Sequence, residues 1–490
     1  MPEPLEELKR VRLSKLNYLR EKGINPYPDK WEPLKNRIKN SACRKLKLKS
    51  SVTVAGRLMS WREHGKIIFG NLRDDTGDIQ ICFKRDILPE DKFGLLEFFD
   101  LGDFLGIQGE LFKTKTGELT VLVKDFKLLS KSLRPLPSEW YGLEDKEIRY
   151  RQRYVDLILN PKVKEVFLTR SRVVSEMRHI LDTNGFIEVE TPILQPVYGG
   201  AAAKPFITHH RALDIDLYLR ISNELYLKRL IVGGFEKVYE VSKDFRNEGI
   251  DRQHNPEFTQ IEFYWAYADY ERLMEFSEQA IAQVLNKVIG STEVTYQNKE
   301  LNFTPPWPRI SFYEIFKKYT AIDLEKANTE EKLLDKIREK KINLDLAGVA
   351  GFGPLVDKLY KEFCRSNIIQ PTFLIDYPQE TMPLAKRKEN EPRKIACFQL
   401  VSAGHELIKA YNELNDPLDQ KARWQIMEEL AKRGLEEHEV VDKDYIRALE
   451  YAMPPTAGWG MGIDRFVALI TNRPSLKEVI LFPTMKPEQA

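Results

Sequence analysis

Residues 237–265 set the tightest limit on what this chain can fold into. From 237 to 246 the side chains alternate. Tyr239, Val241 and Phe245 fall on one side, and Glu240, Ser242, Asp244 and Arg246 on the other. After a loop from Gly249 to Pro256 the alternation resumes, with Ile261, Phe263 and Trp265 against Phe258, Gln260, Glu262 and Tyr264. A period of two with one apolar side is the pattern of a strand packed on one face. Two such runs joined by a loop predict an antiparallel hairpin in a sheet whose other face is polar. That polar face is rich in chemistry. It carries a guanidinium (Arg246), carboxylates (Glu248 and Glu262), a loop imidazole (His254) and aromatic rings (Phe258 and Tyr264). Arginine clamps phosphate bidentately. A phenyl ring stacks on a base, and Glu with Tyr holds an ammonium. A half-exposed hairpin with a solvated charged face has the same alternation, so the pattern needs company.

Three further segments supply it. Gly458-Trp459-Gly460-Met461-Gly462-Ile463-Asp464-Arg465 places glycine at every second position. In a strand this bares one face while Trp459, Met461 and Ile463 load the other. An apolar run from Phe466 to Ile470 then starts a helix, with Arg465 near its N-terminus, where a cation opposes the macrodipole and invites an anion. Gly199-Gly200-Ala201-Ala202-Ala203 is a small-residue stretch where a ligand can meet backbone. From Glu406 to Asp416, strict alternation sets Lys409, Tyr411 and Glu413 on one face and Glu406 on the other. If Glu406 and Glu413 serve one site, a bulge must fall between them.

At 490 residues the chain exceeds one core and predicts two or three domains. A helix over 4–22 precedes five strand-like runs at 51–60, 65–73, 77–84, 103–113 and 119–129, with a helix at 91–99 between the third and fourth. That order is the order of an OB-fold barrel. Arg134-Pro135-Leu136-Pro137 breaks it. The division expected is 1–133 for the helix and barrel, 134–160 for a linker that carries a charged helix at 145–157, and 161–490 for the larger domain. In 161–490 long helices (164–184, 270–288, 330–340 and 417–433) mix with strands that do not alternate βαβ, which predicts a mostly antiparallel sheet and an α+β fold.

The net charge of +2 says little, but residues 1–50 hold fourteen Lys/Arg against six Asp/Glu, compatible with phosphate contact. Four scattered cysteines without a CxxC pair argue against a structural zinc and fit a reducing cytosol. No apolar run is long enough for a membrane span, and no secretory signal is expected.

Taken together the segments resemble the class II aminoacyl-tRNA synthetases and, within them, the lysine enzymes, from about residue 4 to 487. Gly185–Leu194 with Pro192 is similar to the first class signature, which implies a homodimer. Phe245-Arg246-Asn247-Glu248 with His254-Asn255-Pro256-Glu257-Phe258 is similar to the second, and Gly458–Arg465 to the third. The Gly199–Pro205 segment, Ala266-Tyr267-Ala268-Asp269-Tyr270, Glu413-Leu414-Asn415-Asp416 and Phe112–Glu118 are similar to stretches of lysine enzymes specifically. A set of this kind is far more specific than one motif.

The resemblance implies ATP-dependent activation of L-lysine and its transfer to tRNA(Lys), with Mg²⁺, in the cytoplasm. Arg246 and Arg465 are the implied catalytic cations. Arg246 would take the α-phosphate and the lysine carboxylate, and Phe258 and Arg465 would sandwich adenine over Gly462. Glu248, His254 and Asn255 would help hold ATP, and Glu406 would ligate magnesium. Gly200 and Glu224 would take the α-amino group, and Glu262, Tyr264 and Glu413 the ε-ammonium, with Tyr411 lining the pocket. In the barrel, Phe69 would stack on an anticodon base, with Arg62, Gln80 and Glu118 reading base edges.

Four positions depart from the family pattern. Gln399 stands where a second metal-binding carboxylate is usual, and Lys409 where Asn is usual. Met382 replaces a small residue, and Ser222-Asn223 stand where Ala-Pro is usual. One lost negative and one gained positive charge suggest that Lys409 takes over part of a metal's role near the phosphates. Three alternatives stay open: an aspartate or asparagine ligase, which paired glutamates disfavour; lysine transfer to protein, whose enzymes lack the barrel; and a silent tRNA-binding relative.

Overall fold

The computed structural model describes residues 5–137 and 145–488, and the chain divides into two compact units, 1–144 and 145–490. The linker expected at 134–160 falls partly outside the described residues; its later part forms helices Lys146–Arg151 and Arg153–Leu159, inside the second unit.

The first unit opens with helix Leu5–Glu21, followed by five strands: β1 Ser51–His64, β2 Ile67–Asp74, β3 Gly77–Lys84, β4 Phe104–Lys113 and β5 Leu119–Ser130. They close into a barrel in the order β1-β2-β3-β5-β4, with only β3 and β5 parallel. Alternate residues such as Leu58, Ile68, Leu72, Ile81, Phe83, Leu105, Ile107 and Val121 fill the interior. The helix expected at 91–99 is a short α-turn, Glu90–Gly94, that tightens into 3₁₀ over Leu95–Phe98. Gly106 is bare because the Trp31 ring lies on it, which ties the chain before β1 to the barrel.

Among its described residues the second unit carries thirteen strands: β6 Ile187–Glu188, β7 Leu194–Gln195, β8 Ile207–His210, β9 Ile215–Leu219, β10 Lys237–Phe245, β11 Glu257–Ala266, β12 Glu293–Tyr296, β13 Lys299–Asn302, β14 Arg309–Ser311, β15 Thr372–Ile375, β16 Cys397–Ser402, β17 His405–Asn412 and β18 Thr456–Gly462. Eight of them form one sheet in the order β14-β15-β16-β17-β18-β11-β10-β6. It is antiparallel except at its two ends, where β14 pairs with β15 and β10 with β6 in parallel. The expected α+β fold with a mostly antiparallel sheet is therefore present.

One face of this sheet is core. Tyr239, Ile261, Phe263, Trp265, Phe398, Leu400, Ile408, Trp459 and Met461 pack there beneath helices Pro161–Thr183, Tyr270–Val288 and Ile463–Ile470. Phe263 and Trp459 stack at 4.9 Å between ring centroids, and the Trp459 indole donates to Ser277 Oγ at 2.9 Å. Aromatic pairs of this kind contribute about 0.5–1.5 kcal/mol beyond area burial. The other face is the floor of a cavity of about 960 Å³.

Candidate active site

The cavity floor is built by cross-strand register. Glu240 on β10 faces Glu262 on β11, which faces Gly460 on β18, then Lys409 on β17 and Gln399 on β16. The next row reads Tyr264, Gly458, Tyr411 and Cys397. Residues directly opposite each other share a face, so the bare glycines and the hairpin's polar side chains form one surface. A methyl carbon on Gly458 would overlap Glu413 Oε1 and lie 2.6 Å from Tyr264 Cε1. On Gly460 it would come no closer than 3.9 Å to Glu262, and on Gly462 it would meet nothing within 4 Å. The bare strip is closed at its Gly458 end by an acid and a phenol, and open toward Gly462.

Glu406 and Glu413 do reach the same cavity. Val401 pairs with Glu406 but Leu400 with Ile408, so Leu407 is an extra residue in β17. This bulge shifts the alternation by one and brings both carboxylates to one side.

At the acidic end, Glu224, Glu262 and Glu413 are all buried. The Tyr264 hydroxyl donates to Glu262 Oε1 at 3.1 Å, and Gln260 Nε2 to Glu262 Oε2 at 3.2 Å. The Tyr411 hydroxyl donates to Glu224 Oε1 at 2.6 Å. Glu413 ion-pairs with Lys228, and neither of its oxygens accepts another hydrogen bond among the described residues. Burial pushes the Glu413 carboxyl up to about 8 against the pull of Lys228. Burial, and then the neighbouring Glu224 charge, drive Glu262 well above the usual carboxylate range. A cationic ligand would reverse both effects. Gly200, at φ +83°, packs its backbone against Ser222 and Glu224, where a side chain would crowd Ser222 Oγ at 3.0 Å.

At the open end, the Arg246 guanidinium lies over the Phe258 ring at 5.0 Å. Arg465 stands in the first turn of helix Ile463–Ile470. Its neighbour Asp464 is pinned by Arg170 and by the Thr259 N–H at 2.9 Å, which anchors that turn to β11. Glu248, His254 and Asn255 line the same cavity. His254 Nδ1 is 2.8 Å from Asp251 Oδ2, and the Asn255 amide is engaged with backbone at Glu257 O and Thr484 N. Gln399 accepts from the Tyr377 hydroxyl at 2.7 Å. Lys409 lies 5.8 Å from the Tyr411 ring centroid, and its charge pulls on Glu413 and Glu439. Lys409 shares a face and a strand with Tyr411 and lies in the row between Gly460 and Gln399.

On the barrel, Arg62 and Phe69 are directly opposed on β1 and β2. Arg62 donates to Gln80 Oε1 at 3.0 Å, and Gln80 Nε2 donates to Thr120 Oγ1 at 2.8 Å. Glu118 precedes Thr120 by two residues. Both side-chain ends of Gln80 are thus engaged within the barrel, while Phe69 is half-buried beside exposed Arg62.

Sequence reasoning missed Lys228, Arg220 and Glu439, and noted Asn223 only as a departure from the family pattern. Arg220 is buried and bridges Glu240 at 2.7 Å and Asp244 at 3.0 Å. Asn223 links Glu240 to Gln260. Glu439 accepts from the Trp424 indole at 2.9 Å, and burial raises its carboxyl to about 7. Lys228 follows Glu224 by four, the spacing of an ordinary surface pair on a helix. The one signal for its burial is its place between Leu227 and Ile231, both buried.

An eight-stranded, mostly antiparallel sheet with an acidic pocket, an arginine-lined bed and a glycine floor, on a chain that also has an OB barrel, defines a class II synthetase. A family model described as tRNA synthetases class II (D, K and N) matches residues 145–486, and one described as an OB-fold nucleic acid binding domain matches 52–129. The chain is 50% identical over 495 residues to a lysine–tRNA ligase of Thermoanaerobacter pseudethanolicus, covering 99% of this chain and 97% of that one. It is 49% identical to that of Pelotomaculum thermopropionicum (99% and 96% covered) and 47% identical to that of Carboxydothermus hydrogenoformans (99% of each). The chain belongs to the class II tRNA synthetases and, within them, to the lysine–tRNA ligases.

Proposed function

We propose that this chain activates L-lysine with ATP, forming lysyl-adenylate and pyrophosphate, and transfers the lysyl group to the 3′ end of tRNA(Lys). The observation that carries this reading is Glu413 Oε1. It is a buried carboxylate oxygen with no hydrogen-bond partner among the described residues, over the bare Gly458 and beside Glu262 and Tyr264. That arrangement suits an ammonium on a long side chain. Aspartate or asparagine would bring a carboxylate or a neutral amide to a cluster of glutamates and leave those acids unpaired. A site of this kind rejects a mismatched polar partner by roughly 10⁴-fold or more.

Lysine would extend from Glu413, Glu262 and Tyr264, past Glu224 and the Gly200 backbone at its α-amino group, to Arg246 at its carboxylate. Adenine would lie over Gly462 between Phe258 and Arg465, with Glu248, His254 and Asn255 at the rim. The lysine carboxylate attacks the α-phosphorus, and pyrophosphate leaves. The terminal ribose hydroxyl of tRNA then attacks the adenylate carbonyl, and AMP leaves. Neither step needs a covalent enzyme intermediate. Arg246 and Arg465 stabilise the charge that develops on phosphorus, and the pocket fixes the geometry.

Among the described residues no group of three or more His, Cys, Asp or Glu side chains is placed to hold a metal. Magnesium on a nucleotide takes most of its ligands from phosphates and water and needs only one or two carboxylates. Glu406 fits that role, and the ion would neutralise phosphate charge. Gln399, bonded to Tyr377, is not a carboxylate.

Phe69 with Arg62, Gln80 and Glu118 forms the proposed anticodon face. Ile187, Ile193, Leu194, Ile207, Leu213 and Ile215 are exposed around β6 to β9, which supports an isologous homodimer through this edge. No helix among the described residues is long and apolar enough to cross a membrane, and the proposed place of action is the cytoplasm.

The test is ATP–pyrophosphate exchange with each of the three amino acids, followed by charging of tRNA. Exchange that depends on lysine supports the reading. Exchange driven by aspartate or asparagine, or tRNA binding without exchange, overturns it.

A further inference from the structure

The amine end of the cavity already contains an ammonium. Lys228 is fully buried, one helical turn after Glu224 on helix Glu224–Val232. Its Nζ lies 2.5 Å from Glu224 Oε1 and ion-pairs with Glu413 Oε2. The rings of Tyr411, Tyr264 and Tyr445 surround it, with centroids at 5.6, 5.9 and 5.9 Å. A cation enclosed by two acids and three aromatic faces is held far more strongly than an exposed one. Burial alone would lower this ammonium, but Glu224 and Glu413 outweigh burial and hold it well above its ordinary value.

We infer that Lys228 is a specificity-determining residue of this pocket: its ammonium bridges Glu224 and Glu413, orients both, and sets the charge left for the substrate. The inference rests on the lysine-activating reading above. When a bound cation holds all three carboxylates (Glu224, Glu262 and Glu413) ionised, one ammonium leaves two negative charges, and Glu439 with Lys409 adds one of each sign. L-lysine brings two ammonium groups to this end of the cavity and directs its carboxylate toward Arg246. Lys228 takes Glu224 Oε1 and Glu413 Oε2 and leaves Glu413 Oε1 facing the bare Gly458. The acids are thereby held apart from one another and turned toward the substrate. Burial already holds Glu262 and Glu413 high, and Lys228 is the charge that pulls Glu413 down; without it these crowded carboxyls would keep their protons still more tightly, because like charges so close cannot all ionise. A protonated carboxyl hydrogen-bonds but does not demand a cation, so discrimination against neutral side chains would fall.

Lys228→Met keeps most of the apolar stem and removes the charge. Lysine-dependent exchange should show KM for lysine rising about 100-fold at pH 7, the scale of an uncompensated buried charge, with kcat changed far less. The acid limb of kcat/KM should move to higher pH. The preference for lysine over norleucine, which lacks the ε-ammonium, should narrow at least about tenfold. Lys228→Arg, which retains the charge, should recover most of the loss. Lys228→Met combined with Glu413→Gln restores two net negative charges. That double variant should lose much less than the product of the single losses.

A folded Lys228→Met enzyme with unchanged KM, pH profile and norleucine discrimination overturns the inference, as do single losses that simply multiply. If Lys228→Met does not fold, the double variant is compared with Glu413→Gln alone: equal or tighter lysine binding supports the inference, and binding ten times weaker overturns it. Absence of lysine-dependent exchange in the unaltered enzyme would instead overturn the function proposed above.

Discussion

Substituting the three floor glycines one at a time separates what the fold requires from what the ligand requires. None of Gly458, Gly460 and Gly462 has a positive φ, so alanine is compatible with the backbone at each. In a strand interior alanine is even favoured over glycine by about 0.5–1 kcal/mol through chain entropy. The surroundings differ sharply. Gly458→Ala drives a methyl into Glu413 Oε1 and to 2.6 Å from Tyr264 Cε1. Both groups are buried, and Glu413 is held by Lys228, so neither yields freely. Overpacking of this kind costs about 1–3 kcal/mol, and any loosening of the Lys228 pair adds to it. The second unit has roughly 350 residues. At about 2.1 cal/mol/K per residue, its unfolding entropy is about 0.7 kcal/mol/K. A net loss of 2–3 kcal/mol therefore lowers Tm by about 3–4 °C.

Gly462→Ala meets no atom within 4 Å and should leave Tm unchanged or slightly higher. Its methyl would occupy the bed assigned to adenine and raise KM for ATP about tenfold or more, with lysine binding intact. Gly460→Ala, with its nearest contact at 3.9 Å, should be thermally neutral and weaken both substrates. Differential scanning calorimetry and ATP–pyrophosphate exchange read the series. A Gly458→Ala protein as stable as the parent, or a Gly462→Ala enzyme with unaltered KM for ATP, would refute the reasoning from floor geometry.

Three other outcomes follow from the site. Glu413 titrates near 8 because burial outweighs Lys228, so lysine binding should tighten between pH 6 and 9 and release protons at pH 7. Calorimetry in buffers of different ionisation enthalpy counts them. The folded carboxyl binds more protons than the unfolded one between its ordinary value of 4.5 and about 8, so it stabilises the ligand-free protein below 4.5 and this contribution is lost as pH rises through 8. Glu413→Gln should flatten that decline. Phe69→Ala should weaken tRNA binding by about 1–3 kcal/mol, the worth of one stacked base, and leave lysine-dependent exchange untouched; a parallel loss of exchange would count against a barrel confined to anticodon reading. Lys409→Asn should change the KM for lysine and its pH profile more than the magnesium requirement, since Lys409 leans on Tyr411 and acts on Glu413; a changed magnesium titration with unchanged lysine KM would return Lys409 to the phosphates.

Much of this was legible in the chain itself, because a strand's period of two is written residue by residue. Alternation at 237–246, 258–265 and 458–465 assigned Tyr239, Phe263 and Trp459 to the apolar face and Glu262, Tyr264 and the glycines to the other, without knowledge of which strands pair. The five-strand order of the barrel was equally local. What alternation cannot supply is the partner across the ladder. The row from Glu240 through Glu262, Gly460 and Lys409 to Gln399 joins residues up to 220 positions apart, and only hydrogen-bonded register aligns them. The bulge at Leu407 depends on β16 as much as on β17. Lys228 is the sharpest case. From the chain it is the cationic half of an i,i+4 pair suited to a solvated helix face. The fold turns that face inward, brings Glu413 from 185 residues away to meet it, and makes it an internal charge. Local periodicity determines which face a side chain takes. Whether that face meets water or another carboxylate is decided by packing between distant segments, and the energy of a charge depends on that choice more than on any property of the residue that bears it.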